Sequence, residues 1–196
     1  MKQHQNLVLA SASPRRKQLL ESMGIKLEVV PSQVAELGYG GDPMVLPLRI
    51  ALQKLKAVRA SMGAQLKGAI LAADTIVAMD GDVFGKPDNP DQARAILKRL
   101  SGKIHQVVTG FRIETAQGDY IEEAISTNVT MMELSPTLID WYVESGEPMD
   151  KAGAYGIQGL AGAFVSSIHG SYTNVVGLPM SDVLKALVDL DIIEHP

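Results

Sequence analysis

Asp74 stands inside an otherwise apolar run, Ala69-Ile70-Leu71-Ala72-Ala73-Asp74-Thr75-Ile76-Val77. A carboxylate in mid-strand carries a large desolvation cost unless a cation or several donors meet it. Metal coordination or general-base work would account for it; an Asp bonded to backbone N–H groups at a strand edge is the plainer alternative. Ser13-Pro14-Arg15-Arg16-Lys17 sets three cations into the first turn of a helix, where the macrodipole is already positive. Each charge there costs roughly 0.3–1 kcal/mol at an exposed terminus. A bound anion reverses the sign, drawing on free N–H groups, serine hydroxyls and arginine forks. A solvated basic turn fits the same local pattern.

Two lysines add to the inventory. Lys54 lies on the flank of the helical stripe Ile50, Ala51, Leu55 and Val58, from which its ammonium can turn inward or snorkel into water. Lys86 is held in direction by Pro87 within Gly85-Lys86-Pro87. The segment Asp150 to Gly162 is dense in glycine, which permits positive φ and close backbone approach to a ligand. It has neither Walker A spacing nor GxGxxG, so neither a P-loop nor a dinucleotide fingerprint is present. Small apolar residues between its glycines favour packing over a loose loop.

Composition excludes several classes. The 196 residues contain no cysteine, which removes disulfides, thiolate catalysis and cysteine-zinc sites and suits a reducing compartment. His4, His105, His169 and His195 are scattered, so a divalent metal would be a hard ion on carboxylates, magnesium or manganese. A net charge of −4 disfavours nucleic acid as partner. The N-terminal apolar run is too short for a signal peptide, and nothing later reaches membrane-spanning length.

The positioning elements follow from pattern and caps. Leu7 to Ala10 reads as a buried strand, followed by a helix from Pro14 to Met23 with Ser13 as N-cap and Gly24 beyond its end. Leu27 to Pro31 is a second strand. A helix spans Met44 to Met62, with Pro47 requiring a late start or a distorted first turn. Ala69 to Met79 turns at Asp80-Gly81 into a hairpin. Asn89 caps a helix with Pro90 first, Gln92 completing a capping box, and Ala93, Ile96, Leu97 and Leu100 inward. Two or three strands lie between Ile104 and Met132, and helices run from Ser135-Pro136 to Gly146 and from Pro179 to Leu190. Hairpins among interleaved helices predict an α/β fold with a mixed sheet.

Taken in order, LASASPRR, AADTIV, GKP, LSGKIHQVVTG, DKAGAYGIQG and GSYTNVVGLP resemble the Maf family of nucleoside triphosphate pyrophosphatases along almost the whole chain. The resemblance implies a single domain, 1–196, in which an elongated mixed sheet with flanking helices forms two lobes around a central cleft, similar to inosine triphosphate pyrophosphatases. It also implies a cytoplasmic, divalent-metal-dependent homodimer acting on nucleoside triphosphates. By position, Asp74 matches the family's proton acceptor, and Ser13, Arg16, Glu36, Lys54 and Lys86 match its phosphate- and metal-binding residues, with Glu36 and Asp74 as the metal pair. Arg15, Thr75 and Gln158 match the branch that hydrolyses dTTP and UTP. Where the family usually has two acidic residues, this chain has Ala35 before Glu36. The alternatives are a pyrophosphatase for 7-methyl-GTP or other modified nucleotides, and a nucleotide-binding regulator of septum formation.

Overall fold

A computed structural model describes residues 2–32, 34 and 41–194. The first strand, β1 (Asn6–Leu9), ends in the segment that leads to α1 (Pro14–Ser22), with Pro14 in the first helical turn. Ser13 occupies the N-cap position without making a capping bond; its own N–H donates to Ser11 Oγ at 3.2 Å. The C-terminus is closed by Gly24 at φ +75, with Gly24 N–H bonded to Glu21 O and Ile25 N–H to Leu20 O. These two bonds are a Schellman closure, and Leu20 and Ile25 share one apolar cluster. Next come β2 (Leu27–Val29) and α2 (Leu46–Met62). Pro47 falls in the first turn of α2, so the late start is the one adopted; an N–H is not needed there.

The central strand, β3 (Gly68–Met79), turns through Asp80 and Gly81, both at positive φ, into β4 (Asp82–Phe84). On α3 (Pro90–Leu100) the Asn89 side chain accepts from Gln92 N–H at 2.9 Å. Gln92 reaches back to the N–H of Asp88 rather than Asn89, one residue beyond the expected capping box. Two long strands, β5 (Ile104–Thr115) and β6 (Tyr120–Met131), form a hairpin around Gly118. After α4 (Pro136–Glu144) and a run of single 3-10 turns come β7 (Val165–His169), α5 (Tyr172–Val176) and α6 (Met180–Asp189).

Among the described residues, seven strands form one mixed sheet in the order β2-β1-β3-β5-β6-β7, with β4 also on β3. Pairing is parallel for β1 with β2 and β3, and antiparallel elsewhere. The order 2-1-3 makes the carboxyl end of β1 a topological switch point: the chain leaves toward β2 on one side, while β3 lies on the other. The two crossover helices cover opposite faces. Leu20 of α1 packs with Leu7, Leu9, Ala69, Leu71 and Ala73, whereas Ala51, Leu55 and Val58 of α2 pack with Val8, Ala10, Ile70 and Ala72. On the α1 face a second cluster gathers Val77 and Met79 with α3 and α4. Thr75 sits where these two clusters part. Among the described residues, no helix is long and apolar enough to cross a membrane.

One edge of β3 is shared. β1 pairs with Gly68 to Leu71 and β4 with Val77 to Met79, while β5 occupies the opposite edge throughout. No described strand pairs with Ala72 to Ile76 on the shared edge. The interruption lies directly beyond the carboxyl end of β1, and a cleft opens there.

Candidate active site

Alternation along β3 sends Asp74 to the α2 face and Thr75 to the α1 face, so consecutive residues serve opposite sides of one opening. Opposite Asp74 in the register is Gly110 of β5. A Cβ on Gly110 would lie 2.4 Å from Leu48 N and 2.6 Å from the Pro47 carbonyl carbon. The first turn of α2 therefore rests on bare backbone, which brings the next turns close to β3. Lys54 turns inward, only 8% exposed, and its Nζ donates to Asp74 Oδ1 at 2.6 Å. Of the two sequence-level options for Lys54, the inward one is realised.

Thr75 meets Arg16. The Arg16 guanidinium is 7% exposed and donates from Nε to Gly177 O at 2.8 Å, from Nη1 to Ser11 Oγ at 3.0 Å and from Nη2 to Thr75 Oγ1 at 3.0 Å. Its fork thus joins the β1–α1 segment, β3 and the turn after α5. Thr75 Oγ1 also shares a hydrogen bond with Thr109 Oγ1 at 2.9 Å. Behind them, fully buried Asn174 donates from Nδ2 to Val107 O and Thr127 Oγ1 and accepts from Thr109 through its carbonyl.

The remaining wall is the segment Glu147 to Gly162. Arg15 Nη1 lies 3.5 Å from Asp150 Oδ2 across the mouth. Burial opposes the Asp150 charge, but the adjoining Lys151 ammonium and Arg15 outweigh it and hold the carboxyl below its usual range. The glycines here act less through positive φ than through close approach. Gly153 does adopt φ +70, whereas Gly156 and Gly159 do not, and a Cβ on either would press on the Lys151 side chain or the Glu147 carboxylate, which would have to shift. Deeper in the wall, Tyr155 Oη is 2.7 Å from His105 Nε2. Burial lowers the His105 pKa to about 4 and pushes the Tyr155 phenol well up.

Ser13, Arg15, Arg16, Lys54, Asp74, Thr75, Lys86 and Gln158 all line a single cleft of about 720 Å³. Glu36 and Ala35 lie outside the described residues. Among the described residues, no group of three His, Asp or Glu side chains is arranged to hold a metal. Sequence reasoning passed over Ser11, Thr109, Glu147 and Asn174. Ser11 lies three residues before the helix start and Glu147 eleven before Gln158, counted along the chain, and no local periodicity marks either.

The family model for Maf-like proteins matches residues 6–190. The chain belongs to the Maf family. Among Maf relatives, a dTTP/UTP pyrophosphatase from Syntrophomonas wolfei is 48% identical over 181 residues, covering 91% of this chain and 94% of the relative. One of the same name from Symbiobacterium thermophilum is 47% identical, with 93% of both chains covered. Another from Anaeromyxobacter sp. is 44% identical, covering 92% of this chain and 87% of the relative. Among solved structures, a dITP/XTP pyrophosphatase from Mycobacterium abscessus aligns over 94% of this chain and 97% of its own, at 15% identity and a TM-score of 0.43. That likeness is too loose to add to the Maf assignment.

Proposed function

We propose that this Maf chain hydrolyses dTTP and UTP to the monophosphate and pyrophosphate. The observation that carries the reading is the convergence of Asp74 and Lys54 with Arg15, Arg16, Thr75, Lys86 and Gln158 on one cleft at the switch point of the sheet. Water attacks the α-phosphorus in line; the new P–O bond forms as the α–β anhydride bond breaks, and pyrophosphate leaves. Asp74 takes the water's proton, its carboxylate oriented by the Lys54 ammonium at 2.6 Å. Lys86 and the start of α1 bind phosphate oxygens, and Lys54 and Arg16 add fixed positive charge, since positioning and charge stabilisation dominate phosphoryl chemistry.

The donor set suits a hard divalent ion: magnesium is commonly held by one or two carboxylates together with substrate phosphates, and the Asp74 carboxylate lines the same cleft as Arg15, Arg16 and Lys86. Asp74 and Glu36 would hold magnesium or manganese, which would offset phosphate charge and acidify water.

Base choice follows from donor and acceptor polarity. Uracil and thymine present O4 as acceptor and N3–H as donor; cytosine reverses both. Arg15 only donates, so it favours O4 and meets a clash with the cytosine amine, while Gln158 can pair with both groups of uracil. The family resemblance supports a cytoplasmic homodimer, and the cysteine-free composition suits a reducing compartment.

The test is pyrophosphate release across dTTP, UTP, CTP, ITP and 7-methyl-GTP, with magnesium or manganese. Turnover is expected for dTTP and UTP, and Asp74→Asn is expected to lose it while remaining folded. Preference for 7-methyl-GTP, or binding without pyrophosphate release, would overturn the reading.

A further inference from the structure

Gln158 is exposed at the rim of the cleft, and among the described residues its side chain makes no hydrogen bond that fixes where it points. Its backbone is fixed instead. Gly159 N–H bonds to Gly156 O at 3.1 Å, closing a turn over residues 156–159 that places Gln158 at its third position. Both ends of that turn are seated on side chains from outside it. At Gly156 a Cβ would lie 2.7 Å from Lys151 Cε; at Gly159 it would lie 2.3 Å from Glu147 Oε1.

Glu147 is the hub of this arrangement. Its Oε2 accepts from Leu160 N–H at 3.0 Å, directly after the turn, and its Oε1 accepts from the Tyr142 hydroxyl at 3.0 Å. Its carbonyl accepts from Lys151 Nζ at 3.1 Å. Tyr142 is fully buried on α4 and packs edge-to-face on Phe164 at 5.1 Å. A continuous path therefore runs from the core of α4 through one carboxylate to the turn that presents Gln158. Nothing in the mechanism above uses Glu147.

We propose that Glu147 is a positioning residue for base selection, holding the 156–159 turn so that Gln158 meets the pyrimidine edge. This rests on the reading of Gln158 as a base contact. Both donors reaching Glu147 point at acceptors, which gives the idea a sharp chemical test. In Glu147→Gln the amide oxygen can accept from Leu160 N–H, while the amide NH₂ faces the Tyr142 hydroxyl, which loses its acceptor. The Leu160 link survives and the charge does not. Glu147→Ala removes both links, and Tyr142→Phe removes the hydroxyl that meets Glu147 and the Gly156 backbone while keeping the buried ring.

The experiment measures kcat and KM for UTP and CTP in wild type and these three variants, with hydrogen exchange at the Leu160 amide in the nucleotide-free proteins. Glu147→Ala is expected to erode the UTP-over-CTP ratio by about tenfold or more, mainly through KM for UTP, because small misplacements of a contact are costly. Tyr142→Phe should fall between it and wild type, and Glu147→Gln should stay within about threefold of wild type. Leu160 exchange should quicken in Glu147→Ala and remain slow in Glu147→Gln. An unchanged ratio in Glu147→Ala, or in Tyr142→Phe should the alanine variant not fold, would overturn the proposal. So would a glutamine variant as impaired as the alanine one, which would assign the effect to charge. Wild type with no UTP preference would overturn the underlying reading instead, and the exchange data would still report on the tie itself.

Discussion

Lys54→Met asks how much the buried pair at the cleft floor matters. Methionine keeps a straight, helix-compatible chain of similar length and removes only the ammonium. Lys54 and Asp74 side chains are 10% and 8% exposed, so the carboxylate is deprived of its 2.6 Å partner with little water to replace it. Removing one member of a buried pair costs roughly 3–5 kcal/mol, far above the value of a surface ion pair. At about 2–4 °C per kcal/mol for a chain of this size, the thermal midpoint should fall by roughly 6–20 °C. Lys54→Met/Asp74→Leu removes both charges and should recover most of that loss, because a well-packed apolar pair is often as stable as a buried ionic one. Thermal and urea unfolding followed by circular dichroism measure the single and double variants together. Neither should release pyrophosphate at a rate near wild type. A single variant within about 1 kcal/mol of wild type, or a double variant less stable than the single, would refute the description of the pair as desolvated and coupled.

Two further outcomes follow from the fold around the site. His105 carries a folded-state pKa of about 4, below its unfolded value near 6.5, so the unfolded chain binds its proton more readily between those values. Its contribution is fully present above about pH 6.5 and is lost as pH falls toward 4, on the order of 3 kcal/mol. His105→Gln should flatten stability against pH in that window; an unchanged slope would show that His105 titrates normally. Gly110→Ala places a methyl group against backbone atoms of Pro47 and Leu48 that have no rotamer to change. A loss of roughly 1–3 kcal/mol is expected from overpacking, with pyrophosphate release falling as α2 lifts Lys54 from Asp74. Wild-type stability and rate in this variant would mean that α2 is not seated on β5 as described.

Much of the molecule was legible where local chemistry decides structure. Asn89, Pro90 and Gly24 mark helix ends through their own backbone needs, and the apolar run ending at Asp80-Gly81 could only be a buried strand turning back on itself. The candidate site was legible through Asp74, because a charge inside such a run needs a reason, and the structure supplies the Lys54 ammonium beside it. What escaped depends on distance along the chain. Ser13 holds the cap position without a side-chain capping bond, and its N–H donates to Ser11 Oγ, a contact no helix-end rule announces. The strand β7 and the short helix α5 have weak patterns and are specified by pairing with β6 and by the Asn174 network. Lys54 was ambiguous because the decision lay with Gly110, on a strand far away in sequence.

The break in pairing along β3 has a consequence for solubility. A sheet edge that offers unpaired N–H and C=O groups invites a foreign strand, and a core strand as apolar as β3 would be a hazardous place to offer one. Here the gap from Ala72 to Ile76 is bounded at both ends by native partners, β1 and β4. An intruding chain would find only five residues of β3 on which to gain register before meeting one of them, no more than an ordinary strand of about five or six residues needs. The gap opens on a cleft of about 720 Å³, so the protein keeps an accessible groove while leaving only a short stretch of edge for edge-to-edge pairing.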